Sequence, residues 1–185
     1  FPYMLANVKN ISDIILTDQD SILYIHGFLE NSEMENVQIP IKCISQYKGD
    51  VNVILLDWGN IAFNINYFRV SNIVPMIGKL VAKSLSELHK VIDLNKLHVI
   101  GHSLGAHIAA HIGRSMKILN RITENTITRL DPAFPLFYPS ECHLRSSDAK
   151  AVVILHTDSG FYGTPFNTGT IDFYANKGIS PQPGC

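Results

Sequence analysis

Lys96-Leu97-His98-Val99-Ile100-Gly101-His102-Ser103-Leu104-Gly105-Ala106-His107 is the stretch on which the fold turns. Its first half is a short apolar run typical of a buried strand. From Leu104 onward, apolar residues recur at Ile108, Ile112 and Met116, the spacing of one helix face, and the pattern runs to about Ile118. Gly101-His102-Ser103-Leu104-Gly105 must therefore turn a strand into a helix within a few residues. In so tight a turn a side chain at either glycine would clash, while the serine between them is held in a strained conformation with its hydroxyl outward. A bare G-x-S-x-G arises by chance in roughly 6% of chains this long. The strand before it and the helix after it distinguish this one, because that is the setting in which a serine is presented as a nucleophile. The helix N-terminus brings the positive end of aligned peptide dipoles beneath Ser103, and the N–H of Leu104 points to where an oxyanion would form. The alternative is a glycine-rich turn without chemistry.

Outward from this turn, short runs rich in Ile, Val and Leu alternate with longer helical patterns. Candidate strands are Ser21–Ile25, Val51–Leu56, Leu97–Ile100, Thr126–Leu130 and Ala151–His156. Between the second and third, Val70, Ile73, Val74, Ile77, Val81, Leu85 and Leu88 form the packing face of a crossover helix, with Asn72 as its expected cap and Pro75 in its first turn. The alternation predicts an α/β fold, a mostly parallel central sheet with helices on both faces. No repeat, low-complexity tract or interdomain linker divides the 185 residues, so residues 1–185 are expected to form one domain. Ile179–Cys185 is rich in Pro and Gly and is expected as exposed loop.

Composition excludes several classes of function. A formal charge of −1 from scattered residues gives no footprint for nucleic acid. The three cysteines, Cys43, Cys142 and Cys185, are too far apart for a zinc arrangement and cannot all pair with one another. No cofactor motif is present and none is expected. Asn10-Ile11-Ser12 is a weak glycosylation signal, and no apolar stretch approaches the ~18 residues of a membrane span. The expectation is a soluble, secreted chain without its leader. Nothing in the sequence assigns an oligomeric state.

Two further segments suit an acyl-transfer site. Tyr24-Ile25-His26-Gly27-Phe28 closes the first strand, where the following loop would offer Phe28 N–H as a second oxyanion donor and the Phe ring as an apolar contact for an acyl chain. A plain glycine turn with a core Phe explains these residues equally well. Leu130-Asp131-Pro132-Ala133 places Asp131 after a strand and before a proline that turns the chain away, at the sheet edge where Ser103 lies. A surface-turn aspartate competes with that reading. Asp57 precedes Ser103 in the chain, against the order Ser, acid, His of such hydrolases, while Asp148 and Asp158 have weaker settings. Of eight histidines, His143 and His156 follow Asp131. His156 ends a strand and is expected to be buried and hydrogen-bonded, His143 lies in a loop without flanking signal, and neither suits a general base.

Taken together, Tyr24–Phe28, Leu56-Asp57-Trp58, His98–His107, Leu130–Ala133, Ser147–Ala149, Leu155-His156-Thr157-Asp158, Gly169–Tyr174 and Pro183-Gly184-Cys185 resemble the pancreatic lipase family of the α/β-hydrolase superfamily, most of all its insect lipases and venom phospholipases A1. The resemblance implies Ser103 as nucleophile, Asp131 as triad acid, Phe28 and Leu104 N–H as the oxyanion hole, and a lipid or a lipid–water interface as partner. It also implies that the triad histidine lies downstream of Cys185, after a cysteine that bonds to it, so that residues 1–185 are expected to be incomplete at the C-terminal end. The calcium loop of pancreatic-type members would fall around Ser140–Asp148, where only Asp148 keeps the match and Arg145 replaces a carboxylate; no metal is expected. The lid and C-terminal lipid-binding domain of the family are absent from these residues. Two functions are consistent with the resemblance: a secreted lipid esterase of triacylglycerol lipase or phospholipase A1 type, and a catalytically silent lipid-binding or yolk protein on the same fold.

Overall fold

Six strands, all parallel, form one sheet in the order β2-β1-β3-β4-β5-β6 in a computed structural model that describes residues 11–118, 126–138 and 142–184. The strands are β1 (Ser21–Ile25), β2 (Asn52–Leu56), β3 (Leu97–His102), β4 (Thr126–Leu130), β5 (Ala151–His156) and β6 (Ile171–Tyr174). The helices are α1 (Glu35–Lys48), α2 (Gly59–Ala62), α3 (Tyr67–Glu87) and α4 (Leu104–Ile118). Asn10 of the sequon and Cys185 lie outside the described residues; Cys43 and Cys142 are both exposed.

Helices cover both faces of the sheet as a consequence of strand order. The crossover from β1 through α1 to β2 runs one way along the sheet, and those from β2 through α3 to β3 and from β3 through α4 to β4 run the other. Crossovers between parallel strands are right-handed, so the two directions put α1 on one face and α3 with α4 on the opposite face. There α3 and α4 pack against each other and on the sheet, burying Val70, Val74, Ile77, Val81 and Leu85 from α3 and Ile108, Ile112 and Met116 from α4. This is the α/β-hydrolase fold. Its direction changes between β1 and β3, and in open parallel sheets the crevice beyond the strands' C-terminal ends at such a point is where ligands bind.

The start of α3 differs from the sequence-based expectation. Asn72 is not its cap but lies inside it, with Nδ2 bonded back to the Phe68 carbonyl at 2.8 Å. The cap is Asn66, whose Oδ1 accepts from Arg69 N–H at 3.0 Å. Pro75 therefore sits in the helix interior and not in the first turn. The aromatic pair Tyr67-Phe68 opens the helix, and Phe68 is exposed, so no periodic signal marks the first turn.

Candidate active site

Ser103 occupies the turn between β3 and α4 with φ of 53°, in the left-handed region that costs a residue with a Cβ about 1–2 kcal/mol. That conformation is held from three sides. Ser103 N–H donates to the Leu130 carbonyl of β4 at 3.0 Å, and the Ser103 carbonyl accepts from Ala106 N–H at 3.1 Å and Ala133 N–H at 3.4 Å. The glycines allow the approach. A methyl at Gly101 would stand 2.4 Å from the Gly105 carbonyl oxygen, and one at Gly105 would stand 2.3 Å from that of Ile25, so β3, α4 and the end of β1 meet without room for a side chain. Leu104 is the first residue of α4, and its N–H belongs to the first turn, which has no intrahelical acceptor.

The loop after β1 lies directly against this turn. A methyl at Gly27 would be 2.8 Å from Ser103 Cβ. The chain reaches this position because His26 anchors it. Trp58 N–H donates to His26 Nε2 at 3.2 Å, which leaves the ring proton on Nδ1, 3.1 Å from the Gly27 carbonyl. Trp58 Nε1 donates to the His26 carbonyl at 2.9 Å, and the two rings stack. Tyr24–Phe28 and Leu56-Asp57-Trp58 thus form one unit at the ends of β1 and β2. Phe28 follows, half-buried, with its ring 5.0 Å from Tyr67 in edge-on contact; Tyr67 Oη donates to the Pro135 carbonyl at 3.0 Å. This contact ties α3 to the loop after β4.

Asp131 leaves β4 with φ of 44°. Its Oδ1 accepts from Thr157 N–H at 2.6 Å and Asp158 N–H at 3.1 Å, and its Oδ2 accepts from the Thr157 hydroxyl. The Leu155-His156-Thr157-Asp158 segment therefore holds this carboxylate, a role that sequence reasoning did not assign to Thr157. Asp57 is elsewhere. It follows β2, separated from β3 by β1, and accepts from Ser32 Oγ at 2.6 Å and Gly59 N–H at 2.9 Å, which secures the start of α2.

His156 is fully buried, 2.8 Å from Asp172 through Nε2 and 3.1 Å from the Thr164 carbonyl through Nδ1, and stacks on Tyr174. Both ring nitrogens are engaged, as the sequence reading expected. His143 lies beside Tyr138, with its carbonyl bonded to Arg114. His107 is fully buried, its Nε2 2.7 Å from the Ala133 carbonyl and its ring stacked on Phe137 at 3.7 Å; burial pushes its pKa down to about 3.

Asp148 shows whether the calcium implied by the resemblance fits. It is 1% exposed and bracketed by Arg114 (Nε to Oδ1, 2.7 Å; Nη2 to Oδ2, 3.1 Å) and the fully buried Arg129 (Nη2 to Oδ2, 3.6 Å), while Arg145 N–H donates to Oδ2 at 2.8 Å. A carboxylate already facing two guanidinium groups does not fit a divalent cation, which needs those same oxygens. Among the described residues no group of three or more His, Cys, Asp or Glu side chains is placed to hold a metal ion.

The chain has similarities to known proteins in sequence and in structure. The Lipase family model matches residues 9–185. A phospholipase A1 of Vespa velutina is 35% identical over 97% of this chain and 62% of its own length, and phospholipase A1 4 of Polistes dominula is 36% identical over 98% of this chain and 60% of its own. The chain thus spans less than two thirds of the curated relatives it matches. Among solved structures, esterase Est22 superimposes with a TM-score of 0.44 at 23% identity, over 68% of this chain and 39% of that one. With a family match that extends over nearly all its residues, the chain belongs to the Lipase family.

Proposed function

We propose that residues 1–185 form a single domain that carries the nucleophile, acid and oxyanion donors of a secreted serine esterase acting on carboxylic esters of lipids. The observation that carries this reading is the left-handed Ser103, at the topological switch point, with Gly27 packed on one side and the strand bearing Asp131 on the other. Ser103 Oγ attacks the ester carbonyl, and the N–H groups of Phe28 and Leu104 stabilise the tetrahedral oxyanion. Asp131, fixed by Thr157 and Asp158, holds the imidazole that takes the serine proton and returns it to the leaving alcohol. An acyl-enzyme forms, and water then cleaves it.

His156 and His107 are buried and hydrogen-bonded elsewhere, and the resemblance to the lipase family implies that the imidazole belongs to a histidine downstream of Cys185. A lipid substrate is supported by the relatives named phospholipase A1 and by apolar side chains exposed on loops beyond the strand ends, among them Phe63, Leu136, Phe161 and Phe166. Secretion is supported by the Asn10-Ile11-Ser12 sequon; no helix among the described residues is long and apolar enough to cross a membrane.

A fluorophosphonate ester probe tests the assignment on the full-length protein. The adduct is expected on the peptide holding Ser103, with Ser103→Ala losing both the adduct and hydrolysis of phosphatidylcholine or triacylglycerol. Hydrolysis that survives Ser103→Ala would refute it.

A further inference from the structure

We propose that Glu30 is a positioning residue, whose carboxylate bridges the oxyanion loop to the nucleophile turn and thereby fixes Phe28 N–H relative to Ser103. This rests on the reading of Ser103 and Phe28 given above, and it concerns a residue that no motif singled out.

Glu30 is a carboxylate only 7% exposed, three residues past Gly27. Buried carboxylates persist where several donors converge on them, and three converge here. Oε2 accepts from Gly27 N–H and lies 3.2 Å from His102 Nδ1, while Oε1 accepts from Asn36 Nδ2 of α1 at 2.5 Å. One oxygen atom thus joins the residue before Phe28 to the residue before Ser103. The gap it spans is narrow. A methyl at Gly27 would lie 2.8 Å from Ser103 Cβ, 3.1 Å from Glu30 Oε2 and 3.1 Å from His102 Nδ1, so the four residues are packed in mutual contact.

Chain geometry gives the bridge its importance. Leu29, between Phe28 and Glu30, has φ of 55°, a costly conformation for a leucine, so the loop does not hold its shape through local preference. His26 anchors its start and the Tyr67 ring meets Phe28, while beyond Phe28 it is held by Leu29 N–H on the Ala62 carbonyl at 3.0 Å and by the Glu30 carboxylate on Gly27 and His102. Burial would raise the pKa of Glu30, yet its hydrogen bonds with His102 and the Gly27 N–H hold it below the ordinary carboxylate value. The bridge is therefore made by the ionised form. Burial, and secondarily this charge, push the neighbouring Tyr24 phenol up to about 12.

An oxyanion donor is worth roughly 10²–10³ in rate when removed outright. Releasing the loop displaces Phe28 N–H without removing it, so Glu30→Ala is expected to lower kcat of the full-length enzyme by roughly 10- to 100-fold with KM within about twofold. Glu30→Gln keeps an oxygen that accepts from Gly27 and is expected to retain kcat within about threefold. Amide hydrogen exchange at Gly27, which needs neither substrate nor turnover, should accelerate at least about tenfold in Glu30→Ala and not in Glu30→Gln. If Glu30→Ala does not fold, Glu30→Asp, which withdraws the carboxylate by one methylene, carries the same test. Unchanged kcat and unchanged exchange overturn the proposal, as does a loss confined to KM or an equal loss in the Gln variant. If the wild-type protein is inert toward esters, the catalytic reading fails, while Gly27 exchange still decides the bridge.

Discussion

Ser103 and Asp131 leave neighbouring strands one residue beyond the register pair His102–Leu130, both in the left-handed region, and Ser103 N–H is bonded to the Leu130 carbonyl at 3.0 Å. The proposed nucleophile and its proposed acid are therefore placed by the same rung of the sheet, and no loop has to fold to bring them level.

Asp131→Asn keeps the size of the side chain and removes the charge that would stabilise an imidazolium. It is expected to lower kcat by roughly 10³–10⁴ with KM little changed. Thr157→Val removes one of three hydrogen bonds to the carboxylate, worth about 1 kcal/mol or roughly fivefold in kcat. Steady-state hydrolysis by the full-length protein checks both, and an Asp131→Asn variant that keeps a tenth of wild-type activity would move the acid elsewhere.

Gly105→Ala would raise helix propensity by about 1 kcal/mol at an ordinary helical position. Here the added methyl meets the Ile25 carbonyl at 2.3 Å, an overlap between backbone elements that no rotamer relieves. Overpacking of about 2–3 kcal/mol outweighs the gain. A urea midpoint below wild type is expected; one at or above it would show that the turn has slack.

Much of the fold was legible because its signals are local. Ser21–Ile25 is buried along its whole length in a parallel sheet, burial alternates along Thr126–Leu130 and Ala151–His156, and the structure keeps the expected limits of all three. Helix α1 carried no such signal. In Glu35–Lys48 Val37 alone is fully buried among the residues whose side chains are described, so no stripe marks it. Strand β6 is four residues at the sheet edge, with Ile171, Phe173 and Tyr174 exposed, and lacks the continuous buried run. The turn at Ser103 was legible because strand, glycines and helix fall in one continuous stretch. The supports of the site were not. Thr157 reaches Asp131 and Glu30 reaches His102 across 26 and 72 residues, and nothing in a linear sequence marks such partners.

Asp148→Asn is expected to be among the most damaging substitutions away from the site. It leaves Arg114 and Arg129 facing each other with their shared carboxylate neutralised. Arg129 is fully buried, its pKa is already pushed down to about 9, chiefly by that burial, and its Nε and Nη1 have no hydrogen-bond partner among the described residues. Breaking a buried ion pair from one side costs about 3–5 kcal/mol. Adding Arg129→Met should recover a large part of the loss, and the two variants compared by denaturant unfolding test whether the charges are coupled.

Acid should weaken the fold through two histidines of α4. Burial, the largest effect, pushes His107 down to about 3, and burial and the Arg114 charge push His111 down to about 4, against ordinary values near 6.5. The unfolded chain binds these protons first, so their contribution is fully present above about pH 6.5 and is lost as pH falls toward 4 and then 3. The expected slope is about 1.4 kcal/mol per pH unit for each histidine. Unfolding free energies at pH 6 and 5 should show it, with His107→Gln halving the slope; parallel curves would contradict the assignment.

The order of the strands has a further consequence, in time and not in space. No neighbouring pair in this sheet is a hairpin; β1 must find β3 across the whole of α1, β2 and α3. Pairing of this kind is slow, because a long loop must close before any contact rewards it. Gly27 and Ser103 come together only when that closure is complete, so during refolding probe labelling at Ser103 should lag behind the gain of helical signal.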